Sequence, residues 1–235
     1  MALAARHEKI PFVVYRHGDS AGHIQMKSGV IPTVERMELL QSDYVLAYGE
    51  YETEYLESSQ GRNAQIVTVG SADLDHLKRR ANSQSKEKLF RKFGLDPDRK
   101  LVMYAPSDME GNLRIAPLRN RTPSLTFDLQ RAFLDVFTEF PDIQFVIKLH
   151  NPQGHPCSPI AQVLQDLRPP NVIVITAPLT SVLPMADMFI TDYPTTSFLQ
   201  MLTTKTPILV CGHKLPRRWS PDWHPSVVEM WQERV

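Results

Sequence analysis

Short apolar runs, rich in β-branched residues, alternate along most of the chain with amphipathic stretches. Continuous apolar runs of this length are typical of strands in a parallel sheet that is covered on both faces. The pattern predicts strands over Phe12–Tyr15, Tyr44–Tyr48, Gln65–Val69, Leu101–Tyr104, Gln144–Leu149, Val172–Ile175, Met188–Thr191 and Ile208–Cys211. We expect the strands that end at Tyr104, Leu149, Thr191 and Cys211 to be parallel neighbours in one sheet, with helices on both faces.

The stretches between these strands favour helices. The predicted helices are Thr33–Gln41, Glu50–Ser58, Ser85–Phe93, Phe127–Phe140, Pro159–Leu167, Thr180–Ala186 and Ser197–Thr203. In the fourth of them, apolar residues between Leu129 and Phe140 recur at spacings of three and four, which indicates one buried face. This alternation of strands and helices predicts an α/β protein with a doubly wound, Rossmann-type parallel sheet.

The polar segment Asp73–Lys100 interrupts the alternation, with the letters KRRANSQSKEK at its centre. It reads either as a charged helix or helix pair on the surface, or as a connection between two α/β units. Because strands resume on both sides, we favour the connection. The predicted organisation is therefore a partial N-terminal α/β unit over 1–72, a helical connection over 73–100, a C-terminal α/β domain over 101–212 and a tail over 213–235. Glu110–Ser124 is predicted to be a long loop, and the tail shows no strand.

The composition narrows the class of partner and compartment. The 235 residues include 26 Lys and Arg and 26 Asp and Glu, and this balance argues against nucleic acid as the main partner. Cys157 and Cys211 are too few for a disulfide framework and indicate free thiols in a reducing cytosol. No stretch reads as a signal peptide or membrane span, so we expect a soluble, cytoplasmic protein or one that is at most peripheral to a membrane.

Polar residues follow several of the predicted strands, at the edge of a parallel sheet where ligands bind. These segments are Arg16–Ser20, Ala105–Asp108, Lys148–Asn151 and Asp192–Ser197. They place two histidines, a lysine and three adjacent hydroxyls at one edge. No two histidines have the spacing of a His-x-x-x-His motif, and no metal is predicted.

The three hydroxyls stand at a turn between a strand and a helix. A helix that starts near Thr196 would direct free backbone N–H groups and the positive end of its dipole outward. Thr195, Thr196 and Ser197 would add side-chain donors to a bound phosphate. The alternative is that Thr195 or Thr196 only caps the helix, as Ser and Thr commonly do.

Two histidines are candidates for acid–base or anion-binding roles. His17 precedes Gly18, which lets a ligand approach the backbone closely, and its imidazole is suited to accept a proton from an attacking hydroxyl. His150 ends a strand beside Lys148, and either side chain is suited to bind an anionic leaving group. For each histidine alone, a structural hydrogen-bonding role is the alternative.

Several segments, in their order along the chain, resemble the CDP-glycerol glycerophosphotransferase family, the polymerases and primases of teichoic-acid and capsule assembly. They are Arg16–Gly18, Ser42–Leu56 with Val67–Gly70, Tyr104–Ser107, Lys148–Asn151 and Ala186–Leu199. The last is the most specific, because Ile-Thr-Asp-Tyr followed by hydroxyls and Phe198 is unusual. The similarity spans roughly residues 10–212.

This resemblance implies a two-domain, GT-B-like architecture, in which 1–72 forms the acceptor side and 101–212 binds the nucleotide, and it implies a set of roles. His17 would deprotonate the acceptor hydroxyl, His150 would stabilise the donor phosphates, and Thr195 and Thr196 would bind the nucleotide diphosphate. The remaining candidate substrate-binding residues are Gly18, Ser107, Lys148, Asp192 and Ser197. The implied donor is CDP-glycerol or a nucleotide sugar, and the acceptor is a hydroxyl, for example of a lipid-linked polymer at the inner face of the membrane. No cofactor is predicted.

The sequence also departs from the family pattern. Pro194 replaces the first serine of the turn, and Leu199 replaces an acidic residue. In addition, few residues precede the His-Gly strand, so we expect a fragment, a minimised homologue or one piece of a larger assembly. A transferase is the favoured function. A non-catalytic binding module with the same fold and a nucleotide-sugar epimerase are the alternatives.

Overall fold

The computed structural model describes residues 2–15, 24–25, 38–58, 63–106, 123–149, 159–192, 196–211 and 222–223. Its internal contacts divide the chain into two units. The smaller unit is Met1–Ala72 with Pro216–Glu233, and the larger unit is Asp73–Leu215 with Arg234–Val235. The assignment of the smaller unit to the acceptor and of the larger unit to the nucleotide stays a prediction.

The strands lie where the apolar runs predict them, with bounds that differ by a residue or two. They are β1 Val13–Tyr15, β2 Ile24–Gln25, β3 Tyr44–Ala47, β4 Gln65–Thr68, β5 Leu101–Ala105, β6 Gln144–Lys148, β7 Val172–Ile175, β8 Met188–Thr191, β9 Ile208–Val210 and β10 Asp222–Trp223. The pair β2 and β10 was not predicted. The two short strands are antiparallel, with Ile24 opposite Trp223, so the tail does contain a strand.

The helices are α1 Ala2–His7, α2 residues 38–41, α3 Glu50–Glu57, α4 Ala72–Ser83, α5 Lys86–Phe93, α6 Pro123–Thr138, α7 Pro159–Leu167 and α8 Thr196–Leu202. Helix α6 begins at Pro123, inside the segment predicted to be a loop. Proline is favoured at the first helical position because its fixed φ suits the helix and its missing N–H would be unpaired there.

The larger unit contains a five-stranded sheet in which every neighbouring pair is parallel, in the order β7-β6-β5-β8-β9. The predicted parallel neighbours are therefore confirmed. Side chains alternate between the two faces of the sheet, as they must in a strand. On β5, Leu101 and Met103 face one core and Tyr104 faces the other.

Helices cover both faces of this sheet. The first core combines β5, β6 and β8 with α4, α5, α8 and the short turns before β8. The second core packs the other face against α6 and α7, through Leu134, Phe137, Ile160 and Leu164. The polar segment 73–100 thus contains two helices that each bury apolar residues in the first core, among them Leu77 and Phe90.

The predicted helix Thr180–Ala186 is wrong. The chain forms two 3₁₀ turns there, Leu179–Ser181 and Leu183–Met185. Pro184 lies within the second turn, and proline has no N–H to continue an α-helical ladder. Leu179, Leu183 and Met185 are nevertheless buried, so the apolar spacing that predicted a helix does mark a core-facing segment.

The smaller unit contains a three-stranded parallel sheet in the order β1-β3-β4. Its core consists of Leu39, Val45, Ala47, Leu56 and Ala64, contributed by α2, α3, β3 and the residue before β4. Of the predicted helix Thr33–Gln41, residues 38–41 are helical and the others lie outside the described residues. Within the part of the chain that the structure describes, no helix combines the length and apolar character needed to cross a bilayer.

Candidate functional site

The order of the five strands creates a topological switch point between β5 and β8. From the central strand β5 the chain moves outward to β6 and β7, and it then returns to the other side of β5 to form β8 and β9. Ala105 at the end of β5 lies opposite Thr191 at the end of β8. In open α/β sheets, ligands bind outside the carboxyl ends of the strands at such a point.

A buried hydrogen bond spans this switch point. Asp192 directly follows β8 and is fully buried. The hydroxyl of Tyr104, on β5, donates a hydrogen bond of 2.9 Å to Oδ2 of Asp192. A buried carboxylate needs such donors, since removal from water without them is costly. The bond therefore joins the two strands between which a ligand is expected to bind.

The hydroxyl-rich turn leads from β8 into α8. Helix α8 begins at Thr196, which confirms that a helix starts at these hydroxyls. Thr196 and Ser197 are half-buried, whereas Phe198 and Met201 are buried and attach the helix to the larger unit. The start of α8 is thus held close to the carboxyl edge of the sheet by the packing of its own apolar residues.

Lys148 lies at the same edge, at the end of β6. Its side chain is buried and its ammonium group donates a hydrogen bond to the carbonyl oxygen of Leu149. Strand β6 neighbours β5 on the side opposite β8. Because neighbouring strands lie about 4.8 Å apart, the ends of β6 and β8 are separated by roughly 10 Å. Lys148 thus contributes positive charge to the edge where phosphates are expected.

Cys211 follows β9 and also lies beside the switch point. Its backbone N–H donates a 2.8 Å hydrogen bond to the carbonyl oxygen of Thr191. Partial burial, together with the negative charge of Asp192, raises the pKa of the Cys211 thiol. The thiol therefore stays protonated at neutral pH, and because the thiolate is the reactive form, Cys211 does not have the character of a nucleophile.

Five of the predicted site residues, His17, Gly18, Ser107, His150 and Thr195, lie outside the described residues. Their roles stay predictions. Among the residues that the structure does describe, no three of His, Cys, Asp and Glu come together in a way that could hold a metal ion.

The sequence analysis did not predict Tyr104 as a site residue. It included Tyr104 only as part of the segment Tyr104–Ser107 that resembles the family. A chemical signal was present in the sequence. Tyrosine is the one residue with a polar group in the apolar run Leu101–Ala105, and a buried tyrosine hydroxyl usually has a hydrogen-bond partner. What the sequence does not show is that the partner is Asp192, 88 positions away.

Solved structures with similar folds include S. aureus MnaA with UDP, the wall teichoic acid polymerase TagF, and Anabaena HepE in complex with UDP and glucose. For MnaA the TM-score is 0.59, with 18% identity over 97% of this chain and 56% of the MnaA chain. For TagF it is 0.51, with 18% identity over 86% of this chain and 50% of the other. For HepE the TM-score is 0.51, with 14% identity over 90% of this chain and 56% of the HepE chain. At such identities the likeness concerns the fold alone.

This chain spans only about half the length of those structures. They are of the GT-B type, which confirms the predicted fold class. No curated protein matches the chain in sequence. The sequence profile of the CDP-glycerol:poly(glycerophosphate) glycerophosphotransferase family, however, matches residues 12–212, which is most of the chain. The chain therefore belongs to the CDP-glycerol glycerophosphotransferase family.

Proposed function

We propose that this protein transfers glycerol phosphate, or a sugar, from a nucleotide-activated donor such as CDP-glycerol to a hydroxyl acceptor in the synthesis of a cell-surface polymer. Family membership supports the class of reaction. The observation that carries the proposal is the switch point itself, where the Tyr104–Asp192 hydrogen bond and the first residues of α8 meet the carboxyl ends of β5 and β8.

The donor phosphates bind at the turn between β8 and α8. Thr195, Thr196 and Ser197 provide hydroxyl and backbone donors, and Asp192 lies buried directly after β8. Lys148 ends β6 and His150 follows it two positions later in the sequence, and as cations these residues offset the negative charge of the phosphates. Ser107, two positions after β5 in the sequence, supplies a further hydroxyl.

With CDP-glycerol as the donor, the reaction is a displacement at phosphorus. The acceptor oxygen attacks the phosphorus that carries the glycerol, the bond to the bridging oxygen of the diphosphate breaks, and CMP leaves with the electron pair. His17 takes the acceptor proton as the new bond forms, a contribution that is typically about 10²–10⁴-fold. Gly18 leaves room for the acceptor. Negative charge grows on the departing nucleotide, so Lys148, His150 and the donors of the turn stabilise the transition state most strongly.

The acceptor is a hydroxyl of a growing polymer, and a lipid-linked polymer would bring the protein to a membrane surface as a peripheral partner. The identity of the base and of the transferred group follows from which donor binds. CDP-glycerol, CDP-ribitol, UDP-sugars and CMP-sialic acid are therefore the informative panel.

The first test is binding. A donor at 100 times its dissociation constant stabilises the folded state by about 2.7 kcal/mol, which for a chain of this size raises the melting temperature by roughly 5–10 °C. We expect CDP-glycerol to produce such a shift, and transfer of labelled glycerol phosphate to a glycerol-phosphate oligomer to follow. A parent chain that binds no member of the panel contradicts the proposal.

Two variants separate phosphate binding from helix capping. Thr195→Ala combined with Thr196→Ala should abolish the donor-induced shift while the melting temperature of the free protein falls by only a few degrees, because a lost cap costs about 1 kcal/mol. The matched control is Ser85→Ala, which removes the hydroxyl that caps α5 through Lys88. It should lower stability similarly and leave the donor-induced shift unchanged.

The catalytic variants distinguish the alternatives. His17→Ala should lower turnover strongly and leave donor binding intact, whereas His150→Ala should also weaken donor binding. If the parent binds a donor and transfers nothing to any acceptor, the non-catalytic module is the better account. If the parent chain converts a UDP-sugar without an acceptor, an epimerase is the better account.

A further inference from the structure

The segment 73–100 concentrates positive charge that the proposed reaction does not use. It holds nine of the 26 Lys and Arg but only five of the 26 Asp and Glu, so it carries a formal charge of +4 in a chain whose net charge is zero. Its acids stand apart from most of its cations. Asp73 and Asp75 lie in the first turn of α4, Glu87 lies in the first turn of α5, and the other two follow α5. A local excess of this kind indicates contact with an anionic partner.

Three of the nine cations have partners within the larger unit. The ammonium groups of Lys86 and Lys100 lie 2.8 Å and 3.9 Å from Oδ1 of Asp187. The guanidinium of Arg99 donates to backbone carbonyls in the turn after α6. The other six cations are exposed and form no ion pair within the part of the chain that the structure describes. These six, which we call the cationic surface, are Lys78, Arg79 and Arg80 on α4 and Lys88, Arg91 and Lys92 on α5.

The two helices carry the cationic surface on their outer side. Leu77 of α4 and Phe90 of α5 are buried in the same core, on one face of the five-stranded sheet. Lys88 and Lys92 each stand two positions from Phe90, which in a helix of 3.6 residues per turn is the opposite side. Arg79 stands in the same relation to Leu77. These cations therefore point away from the core that anchors the helices.

The cationic surface offers charge without exposed apolar groups. Every large apolar residue of α4 and α5 is buried or half-buried. Binding there depends on electrostatic attraction and not on the insertion of apolar side chains. Six exposed cations spread over two helices match many separate anionic groups better than a single one. An extended anionic surface, such as a bilayer that contains acidic lipids, has this character.

We propose that the outer side of α4 and α5 is a docking surface for a membrane that contains anionic lipids, to which the six cations hold the protein as a peripheral partner. This inference deepens the proposed function. The choice of a membrane over other polyanions rests on that function, because a lipid-linked acceptor lies at a membrane surface.

The first test uses the parent chain and vesicles. In co-sedimentation, it should bind vesicles of equimolar phosphatidylglycerol and phosphatidylcholine and should not bind vesicles of phosphatidylcholine alone. Salt at 1 M, where the Debye length is about 3 Å, should release the protein because the contact is electrostatic. A parent chain that ignores phosphatidylglycerol, or that stays bound at high salt, contradicts the proposal.

Two triple variants test the surface itself. One combines Lys88→Gln, Arg91→Gln and Lys92→Gln, and the other combines Lys78→Gln, Arg79→Gln and Arg80→Gln. Glutamine has nearly the helix propensity of lysine and arginine, so the melting temperature should change little. Because each cation near an anionic membrane contributes about fivefold, either triple should weaken vesicle binding on the order of 100-fold. Unchanged binding in either variant contradicts a surface that spans both helices.

The matched control combines Lys9→Gln, Arg131→Gln and Lys205→Gln. These three cations are exposed and lie outside α4 and α5, so the control changes the net charge equally. It should weaken vesicle binding less than about threefold, because only cations close to the headgroups contribute. Equal weakening in the control and in the triple variants would show that net charge governs binding, and it would overturn the inference.

Two soluble polyanions, a glycerol-phosphate oligomer and an RNA duplex, test the other occupants of this surface. If the parent chain binds either one as tightly per phosphate as it binds vesicles, and the triple variants lose that binding, the surface belongs to that polyanion and the proposal is wrong. Vesicle binding needs neither donor nor turnover. A parent chain that binds vesicles but no donor therefore overturns the proposed function alone, and one that binds a donor but no vesicles overturns only the docking surface.

Discussion

At the scale of single residues, Asp187 ties three elements together at the edge of the sheet opposite the candidate site. Its Oδ1 lies 2.8 Å from Lys86 Nζ on α5, and its Oδ2 accepts a 2.9 Å hydrogen bond from the backbone N–H of Leu101, the first residue of β5. Partial burial acts to raise the pKa of Asp187. The donors Lys86 and Leu101 and the charges of Lys86 and Lys100 outweigh it, so the pKa of Asp187 is lowered.

The lowered pKa of Asp187 predicts a pH-dependent contribution to stability. A carboxyl whose pKa is lower in the folded than in the unfolded chain stabilises the fold above its unfolded pKa, about 4, and this contribution is lost as pH falls through the folded pKa. Asp187→Asn should therefore reduce the free energy of unfolding by about 1 kcal/mol at pH 7. The difference between parent and variant should shrink below about pH 4, as measured by urea unfolding across pH.

The control for this experiment is Asp135→Asn. Asp135 is exposed and pairs with Arg131 within α6 at 3.2 Å. Exposed pairs of this kind contribute a few tenths of a kcal/mol, so the variant should change the free energy of unfolding little. A difference for Asp187→Asn that grows toward acidic pH would contradict the sign assigned to its pKa shift.

At the scale of elements, helix α5 shows how local sequence sets both ends of a helix. Ser85 caps its start by accepting a hydrogen bond from Lys88 N. Gly94 ends it at φ 67°, and the N–H of Leu95 returns to the carbonyl of Phe90 at 2.9 Å. Glycine adopts this left-handed conformation without the steric cost that a Cβ brings. The helix between these caps buries Phe90 in the first core of the larger unit.

The same substitution at two glycines should have different effects on stability. No atom lies within 4 Å of a Cβ built on Gly94 or on Gly49, so only the backbone distinguishes the two sites. Gly94→Ser should destabilise the protein by about 1 kcal/mol because of its positive φ. Gly49 caps α3 in an extended conformation with no side-chain cap, so Gly49→Ser should be neutral or stabilise by a few tenths of a kcal/mol. Chemical denaturation measures both, and equal losses would refute the backbone explanation.

At the scale of the whole molecule, the two units differ in how they bury their sheets. The larger unit has a core on each face of its five-stranded sheet. Among its described residues the smaller unit has a single core cluster, and Val13, Tyr15 and Tyr44 are exposed on its three-stranded sheet. Since burial of apolar surface is the main source of stability, we expect the smaller unit to be less stable than the larger one.

Native-state hydrogen exchange should show this difference. The amides of Met103 on β5 and Val45 on β3 are matched probes, because each residue is fully buried on the central strand of its sheet. We expect the Val45 amide to exchange at least about tenfold faster, through opening of the smaller unit alone. Identical protection of both amides, with the same dependence on denaturant, would show that the chain unfolds as one cooperative body.

The sequence by itself determined the class of fold and most of the strands, and it predicted which polar residues follow those strands. Strands such as Gln144–Lys148 are short apolar runs whose signal lies within five residues, and the Asp-Tyr-Pro-Thr-Thr-Ser turn is contiguous. Even there, local signals compete. The apolar spacing around Leu183 predicted an α-helix, whereas the chain forms two 3₁₀ turns there, the second of which contains Pro184.

Only the tertiary structure decided the order of the strands and which residues meet at the site. Any order of parallel strands satisfies the same apolar pattern, whereas the observed order β7-β6-β5-β8-β9 places the switch point between β5 and β8. The hydrogen bond from Tyr104 to Asp192 depends on that order, because it joins residues that are neighbours only when β5 and β8 pair. Hydrophobic periodicity reports how each segment faces the core, but contacts between distant segments depend on how all of them pack together.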